Sequence, residues 1–479
     1  MLLQSLARPL AYGAAFFSLL PVAFTQEAKE TKDPSPIQSG FERWWNGSSA
    51  LPEVDIRMKE THSRKLRKRE GSAIPESSLR QDLADAGVSF MGSFTAYFLG
   101  NVSGGLTRDF AYNHMLFFQL NLDLEKIMNW KGGTIVWSFA DNAGSDLSTA
   151  VGNNFQISTD YGPNTFMFDE FYFMQTLLDG KLHIKLGQMS LLNDFMASPL
   201  YDVYANLAFC GNPLGIPYDM PATAMPAASW GAFVKYVEPQ WYAQAGIYQV
   251  SERIGQPAYH GFDYSIRKGD GTMIFMEAGW TPTLFKKEKP APASDGKSVA
   301  SKKTYVPLDD ELSPGYKGHY KFGAFFSNWS YPSFTNNLNQ PNMYGFYFLA
   351  DQMVFRESAK DDQGLYLWSA FTLVPQQSIA QIPFFVSGGA QYLGLIPHRD
   401  QDWTIFGVAW GSFSRDLAAQ QASMNQPQEN YELVFEWSYQ IAVNQWLTVQ
   451  PDVQYIVNPG ATGTIQNAWV IGAIINVSF

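Results

Sequence analysis

Residues Tyr431–Gly460 read YELVFEWSYQIAVNQWLTVQPDVQYIVNPG. Two alternating runs flank a short break at Ala442-Val443-Asn444. In the first, Tyr431, Leu433, Phe435, Trp437 and Tyr439 share one parity, and Glu432, Glu436, Ser438 and Gln440 share the other. In the second, Leu447, Val449, Val453 and Tyr455 alternate with Thr448, Gln450, Asp452 and Gln454. A period of two marks a strand with two unlike faces. Runs of about 10–13 residues exceed the roughly 5–6 of water-soluble strands and suit tilted membrane-crossing strands, which need about 9–11. The polar face is mostly uncharged, as in a water-filled lumen, where a soluble sandwich would present Lys and Glu.

The same period extends back to Val88. Val88, Phe90, Gly92, Phe94, Ala96 and Phe98 oppose Ser89, Met91, Ser93, Thr95 and Tyr97. Leu116, Phe118, Leu120 and Leu122 oppose Phe117, Gln119, Asn121 and Asp123, and Leu182, Ile184 and Leu186 oppose Lys181, His183 and Lys185. The pattern predicts an all-β fold, a transmembrane antiparallel β-barrel of about 16 strands. They lie near 88–99, 112–124, 132–140, 165–177, 181–190, 229–237, 240–249, 272–280, 316–328, 343–355, 364–374, 382–394, 403–413, 430–441, 446–456 and 467–479. Short connectors such as Leu178-Asp179-Gly180 and Glu238-Pro239-Gln240 alternate with long ones at Asp141–Asn164, Asn193–Ser229 and Ser414–Asn430. Short periplasmic turns and long outer loops are the habit of outer-membrane barrels. The Lys- and Pro-rich insert 281–315 breaks that rhythm and reads as flexible. Phe479, at the end of a strand with Trp469, Ile471, Ala473, Ile475 and Val477 on its parity, looks like the terminal aromatic tag read by the barrel-assembly machinery.

Composition agrees. Of 479 residues, 46% are apolar, 15% aromatic and only 16% charged, against roughly a quarter charged in soluble domains. Mean hydropathy is nonetheless −0.17. So many aromatics exclude disorder, and the negative hydropathy argues against a bundle of membrane helices. The mixture reads as one surface for lipid and one for solute, not as a large buried core. A net charge of −11 makes nucleic acid a poor partner. The single cysteine, Cys210, has no intrachain disulfide partner and reads as a buried free thiol.

Residues 1–25, with one Arg before an apolar run at Leu10–Phe24, read as a secretory signal peptide. Residues 26–77 form a charged periplasmic segment carrying Arg57, Lys59, Arg64, Lys65, Arg67, Lys68 and Arg69. The barrel unit occupies 78–479 and opens with a short N-terminal helix over Ser78–Ala86, its Leu79 and Leu83 turned inward.

Several short motifs, in order, resemble one family. They are Leu79-Arg80-Gln81-Asp82-Leu83 with Asn101-Val102-Ser103-Gly104-Gly105, Leu122-Asp123-Leu124-Glu125-Lys126 with Trp130-Lys131-Gly132-Gly133, and Asp179-Gly180-Lys181-Leu182 with Leu186-Gly187-Gln188. Asp351-Gln352, Arg356 and Gly364-Leu365 follow, then Tyr431-Glu432, Glu436, Tyr439, Trp446-Leu447, Gln450-Pro451-Asp452, Gln454-Tyr455-Ile456 and Asn458-Pro459-Gly460. Over about 78–479 the chain resembles the carbohydrate-selective porins of the OprB type. The resemblance implies passive diffusion of mono- or oligosaccharides across the outer membrane of a Gram-negative bacterium. It also implies contact with lipid and lipopolysaccharide, and a pore narrowed by in-folded loops. Tyr201, Tyr204, Asn206 and Phe209 are the candidate constriction loop. The oligomeric state is left open, a homo-oligomer among the outcomes.

Strand parity supplies the candidate lumen residues: Glu432, Glu436, Gln450, Asp452 and Gln454, with Arg356, Gln352, Asp123 and Asn121. A channel needs no covalent chemistry. The wall replaces the water that a sugar sheds and must hold the sugar weakly enough to release it. No catalytic, cofactor or metal motif is visible. Glu432 and Glu436, four apart on one strand, lie about 13–14 Å apart, beyond the roughly 5–10 Å of a glycosidase pair. An exported all-β glycan-active enzyme and a non-conducting barrel serving as adhesin or scaffold are the alternative readings.

Overall fold

The structure, a computed structural model, describes residues 78–162, 164–285, 315–336, 338–357 and 362–479. The expected signal peptide, the charged segment 26–77 and nearly all of the insert 281–315 lie outside the described residues.

Sixteen long strands follow in order: β1 (Val88–Ser103), β2 (Phe110–Asp123), β3 (Gly133–Gly144), β4 (Phe166–Leu177), β5 (Leu182–Met189), β6 (Ser229–Glu238), β7 (Trp241–Val250), β8 (Gly271–Trp280), β9 (Tyr316–Pro332), β10 (Asn339–Arg356), β11 (Gly364–Leu373), β12 (Phe384–Leu393), β13 (Trp403–Ser412), β14 (Tyr431–Ala442), β15 (Leu447–Val457) and β16 (Ala468–Ser478). Each pairs antiparallel with the next, and β16 returns to β1 in a register running from Ser93↔Ser478 to Asn101↔Val470. Closure leaves no edge, the condition for strands to cross lipid. A two-residue piece, Thr283–Leu284, adds two further residue pairs against the start of β9. The expected barrel is therefore present. Its strand ends differ most in the β9–β10 hairpin, which continues past a bulge between Ser327 and Ser330 to Pro332↔Asn339.

Both described ends of the chain lie at one rim of the barrel. Apart from the connector 281–315, connections there are short, such as Leu178–Gly180, whereas segments 145–165, 190–228, 251–270 and 413–430 join strands at the opposite rim. The outer face presents Phe98, Phe171, Leu186, Val234, Met276, Phe322, Phe348, Leu367, Trp437 and Ile471, all exposed. An apolar belt of that extent would be a liability in water and is what lipid requires. Trp241 and Trp280 pair in register at the terminus-bearing rim, and Phe110, Phe166, Trp230 and Tyr431 are exposed near the other.

The seam is closed by the last residue. Phe479 and Gly92 exchange backbone hydrogen bonds, each 2.9 Å. A Cβ on Gly92 would lie 2.4 Å from a carbon of the Phe479 ring, so glycine is what lets the terminal ring lie flat on β1.

The pre-barrel helix α1 (Ser78–Asp85) docks at this rim through polar and π contacts. Arg80 donates to the Phe90 carbonyl and lies 4.8 Å over its ring, and the Lys126 ammonium donates to the Ala84 carbonyl at 2.7 Å. Leu79 is exposed rather than turned inward, because the helix sits at the rim, where no core faces that position.

The interior corrects one expectation outright. It holds a continuous apolar core, built where two loops fold into the lumen. Leu147, Val151, Phe155 and Ile157 come from the first; Phe195, Met196, Tyr201, Tyr204, Phe209 and Ile216 come from the second. They pack on inward wall residues such as Val434, Ile456 and Trp368. Half-buried Cys210 packs against the same core. The low charge of the chain thus reflects a real core as well as a lipid face.

Candidate functional site: the lumen and its in-folded loops

A loop inside a barrel carries backbone N–H and C=O groups that need partners once buried. The inward polar parity supplies them. Glu432 on β14 accepts from the N–H of Asn154 (2.9 Å), Phe155 (2.8 Å) and Gly460 (2.8 Å). Glu436, two periods of the alternation on, accepts from Ala205 (2.7 Å) and Asn206 (2.9 Å). Gln450 on β15 donates to the Val203 carbonyl at 2.7 Å. Gln454 donates to the Ile157 carbonyl at 3.1 Å and accepts from the Asn206 amide at 3.0 Å. Asp452 accepts from Gln454 at 3.0 Å. These five predicted residues do share the inner wall of two neighbouring strands. All five are buried, and Glu432, Glu436, Gln450 and Gln454 are covered by loop backbone.

The other predicted wall residues scatter. Asn121 is inward and accepts from Gln119 at 2.8 Å. Asp123 lies at the rim, where it caps the short helix Leu124–Met128 by accepting from the Glu125 N–H at 3.0 Å. Gln352 is not a lumen residue: it lies on the outward parity and accepts from the Tyr320 hydroxyl at 2.7 Å, while its neighbour Asp351 is wholly buried inside. The β10 sequence is apolar on both parities, with Tyr347, Leu349 and Met353 inward and Phe346 and Phe348 outward, so hydrophobicity could not choose a face. A bulge between Met353 and Phe355 then shifts the parity. It leaves Val354 and Phe355 both exposed and turns half-buried Arg356 inward, where it pairs with Asp362 at 2.8 Å in the following turn. Arg356 and Gln352 therefore do not share a face.

Segment 190–228 is the main in-folded loop. Tyr201, Tyr204, Asn206 and Phe209 are its wall-facing side, each at most 1% exposed. Tyr201 packs on Trp368 with ring centroids 4.7 Å apart, and Tyr204 packs on Phe209 at 4.9 Å. The Tyr204 hydroxyl donates to the Phe406 carbonyl at 2.8 Å and accepts from the Trp368 indole at 2.9 Å. The four candidate constriction residues are thus on the side of the loop that grips the barrel, because the aromatic rings among them find apolar partners in the core rather than the open lumen.

Residues that the sequence reading missed do as much. Glu277 on β8 accepts from the Tyr242 and Tyr347 hydroxyls (2.7 and 2.8 Å), from Gln244 (3.1 Å) and from the Met196 N–H of the loop (3.1 Å). Lys321 donates to the Ala197 carbonyl, and Ser198 donates to Asp351 at 3.1 Å. Lys185 and Asp194 form a buried ion pair at 2.8 Å, and the same ammonium lies 4.6 Å over the Tyr172 ring. Lysines inside otherwise apolar strands, such as Lys235 between Val234 and Tyr236, were the available signal: a strand lysine buried in a barrel must face inward.

Between the loop and the wall lies a cavity of about 190 Å³. Gln119, Glu170, Tyr172 and Lys185 line it from β2, β4 and β5; Leu192, Asn193, Ala197, Asp202, Gly211 and Asn212 line it from the loop. It is far larger than one water requires. Asn193 and Asp202 are exposed here although they lie within the barrel, as side chains facing a solvent-filled lumen must be. On the inner parity of β1 and β16, Asn476 donates to Thr95 at 2.7 Å near one rim, and Tyr97, Leu99, Val470 and Ile474 join the core further along. Carboxylate, amide and ammonium groups facing one aromatic ring can match a solute that has hydroxyls around an apolar ring. Among the described residues, no three His, Cys, Asp or Glu side chains converge as a metal site, and no helix is long and apolar enough to cross a membrane.

A closed sixteen-strand barrel with an apolar belt and loops folded into a polar lumen defines an outer-membrane channel of the porin class. The chain belongs to the OprB family of carbohydrate-selective porins: residues 107–479 match that family's model. It is 25% identical over 436 residues to Porin B of Pseudomonas aeruginosa, covering 84% of this chain and 89% of that protein. It is 22% identical over 431 residues to the putative porin QuiX of Acinetobacter baylyi, covering 84% and 91%. The high-pH structure of Pseudomonas putida OprB superposes with a TM-score of 0.74 at 23% identity, covering 84% of this chain and 96% of that one. The function is that of an outer-membrane porin for carbohydrates. Family and fold indicate a channel rather than an enzyme, and the two glutamates that invited the glycosidase reading each hold a different loop.

Proposed function

We propose that a mono- or oligosaccharide crosses by passive diffusion between the in-folded segment 190–228 and the wall formed by β2, β4 and β5. The cavity lined by Gln119, Glu170, Tyr172, Lys185 and Asp202 is then the passage at which a sugar replaces its water. The observation that carries this reading is the convergence of one aromatic ring with amide and charged groups on a solvent-filled space inside a lipid-facing barrel. Tyr172 meets the apolar ring face, and the polar groups exchange hydrogen bonds with the hydroxyls at little net gain, so that binding stays weak enough for exit. The tethered carboxylates and glutamines act one layer behind, fixing the loop and hence the width of the passage. Lipid and lipopolysaccharide are the partners of the outer belt, and Phe479 is the residue offered to the assembly machinery; association of barrels into a homo-oligomer is compatible with the belt. Planar-bilayer recording tests the proposal. Purified protein should give discrete channels whose ion current is blocked in proportion to added monosaccharide. Reconstituted, heat-modifiable protein that conducts nothing would refute it, as would channels indifferent to every sugar.

A further inference from the structure

We propose that Asp202 makes this passage discriminate by charge, favouring neutral and amino sugars and rejecting sugars that carry a carboxylate or phosphate. This deepens the carbohydrate reading above and rests on it. Besides the Tyr172 phenol, the cavity has three ionisable groups. Lys185 is engaged by Asp194 at 2.8 Å and lies 4.6 Å over Tyr172. Glu170 is turned to the Ser190 N–H at 2.8 Å. Asp202 projects from the loop, exposed in the lumen, and no described residue hydrogen-bonds to it; Lys321 and the Asp160 carboxylate act on it only through space. It sits among residues that are themselves firmly held: Tyr201 on Trp368 before it, and Val203 on Gln450 after it. The loop therefore presents one carboxylate on a fixed backbone, with its lone pairs free.

A free carboxylate accepts two parallel hydrogen bonds, which suits a vicinal hydroxyl pair or the ammonium and adjacent hydroxyl of an amino sugar. Against a uronate or sugar phosphate it offers only repulsion, and a site that cannot pair a charge rejects it. The same carboxylate biases small ions, so potassium should pass in preference to chloride, most strongly at low salt, where screening is weak.

The test uses the full-length protein in planar bilayers under a KCl gradient, with glucose, glucosamine and glucuronate as blockers. Wild type should prefer potassium and should be blocked in the order glucosamine, glucose, glucuronate. Asp202→Asn keeps the shape and removes the charge. It should lower the potassium-to-chloride permeability ratio about fivefold, from the Coulomb energy of one charge at close range in a water-like medium, and should bring glucuronate block up to that of glucose. Asn193→Asp adds a second carboxylate on the same face and should move both readouts the opposite way. An unchanged reversal potential and blocking order in both variants would overturn the proposal. Were wild type to show ion selectivity that both variants move as expected, yet no block by any sugar, the carbohydrate reading would fall while the role of Asp202 in charge selection stood.

Discussion

Replacing Glu436 by Gln perturbs the loop at the point where the barrel holds it most directly. The two carboxylate oxygens of Glu436 accept from the N–H groups of Ala205 and Asn206 at 2.7 and 2.9 Å, and the side chain is wholly buried. Gln retains one acceptor and sets an NH2 against the second N–H. One hydrogen bond to a charged group, worth about 1.5–3 kcal/mol, is lost, and one buried donor is left without a partner. The combined cost is about 3 kcal/mol, which shifts the docked-to-undocked ratio of Val203–Asn206 by about 150-fold at about 1.4 kcal/mol per tenfold. The barrel wall is untouched, since the strand ladder through Glu436 is made by the backbone. Folded, heat-modifiable protein should therefore form channels with a larger mean conductance, noisier open current and weaker sugar block. Single-channel recording with and without glucose reads all three. Wild-type conductance, noise and block in a correctly folded variant would refute the claim that this carboxylate fixes the loop.

Other substitutions probe the frame. Gly92→Val should clash with the Phe479 ring and lower the yield of assembled, heat-modifiable barrel, measured on unheated gels. Asp402 accepts from Arg399 (2.7 and 2.9 Å), the Tyr439 hydroxyl (2.7 Å) and the Ala442 N–H (2.9 Å), strapping one turn to the next. Asp402→Ala should destabilise the barrel by about 2–4 kcal/mol, seen as a lower midpoint in thermal unfolding in detergent. In the loop 251–270, the Ser265 hydroxyl and then the Arg253 guanidinium hold Asp263 down to about 2, and Arg253 holds Asp270 below the usual carboxylate range. Because both values are depressed in the folded loop, its ordering is complete above the ordinary carboxylate pKa near 4 and is lost as pH falls through about 2. Pepsin should cut this loop at pH 2 and not at pH 4.5, while uniform cleavage at both would count against the ion-pair network.

Legibility followed the physics of each element. The strands could be read because lipid on one side and polar groups on the other impose a period of two; β14 and β15 show it over every residue named in Tyr431–Gln454. The failures cluster where that contrast vanishes. In β10 the inner face is apolar too, since Met353, Leu349 and Tyr347 join the core inside the barrel, and a bulge then reverses the parity before Arg356. The in-folded loop was located by its length and aromatic content, yet which of its side chains grip the wall depends on long-range pairs such as Ala205 with Glu436, separated by more than 200 residues.

The sequence by itself determined that this chain crosses a membrane as strands, how many there are, which face of most of them meets lipid, and to which family it belongs. All of this rests on local alternation and short motifs, where each residue's surroundings are set by its immediate neighbours and the solvent beyond. Only the tertiary structure decided what fills the barrel. Glu432, Glu436 and Gln450 look the same in sequence whether they face passing solute or buried backbone. Folding the loops inward makes them anchors and leaves Asp202, Asn193 and Tyr172 to border the open space. A buried backbone amide must find an acceptor wherever the chain brings one within reach, and that distance is set by closure of the barrel, not by order along the chain.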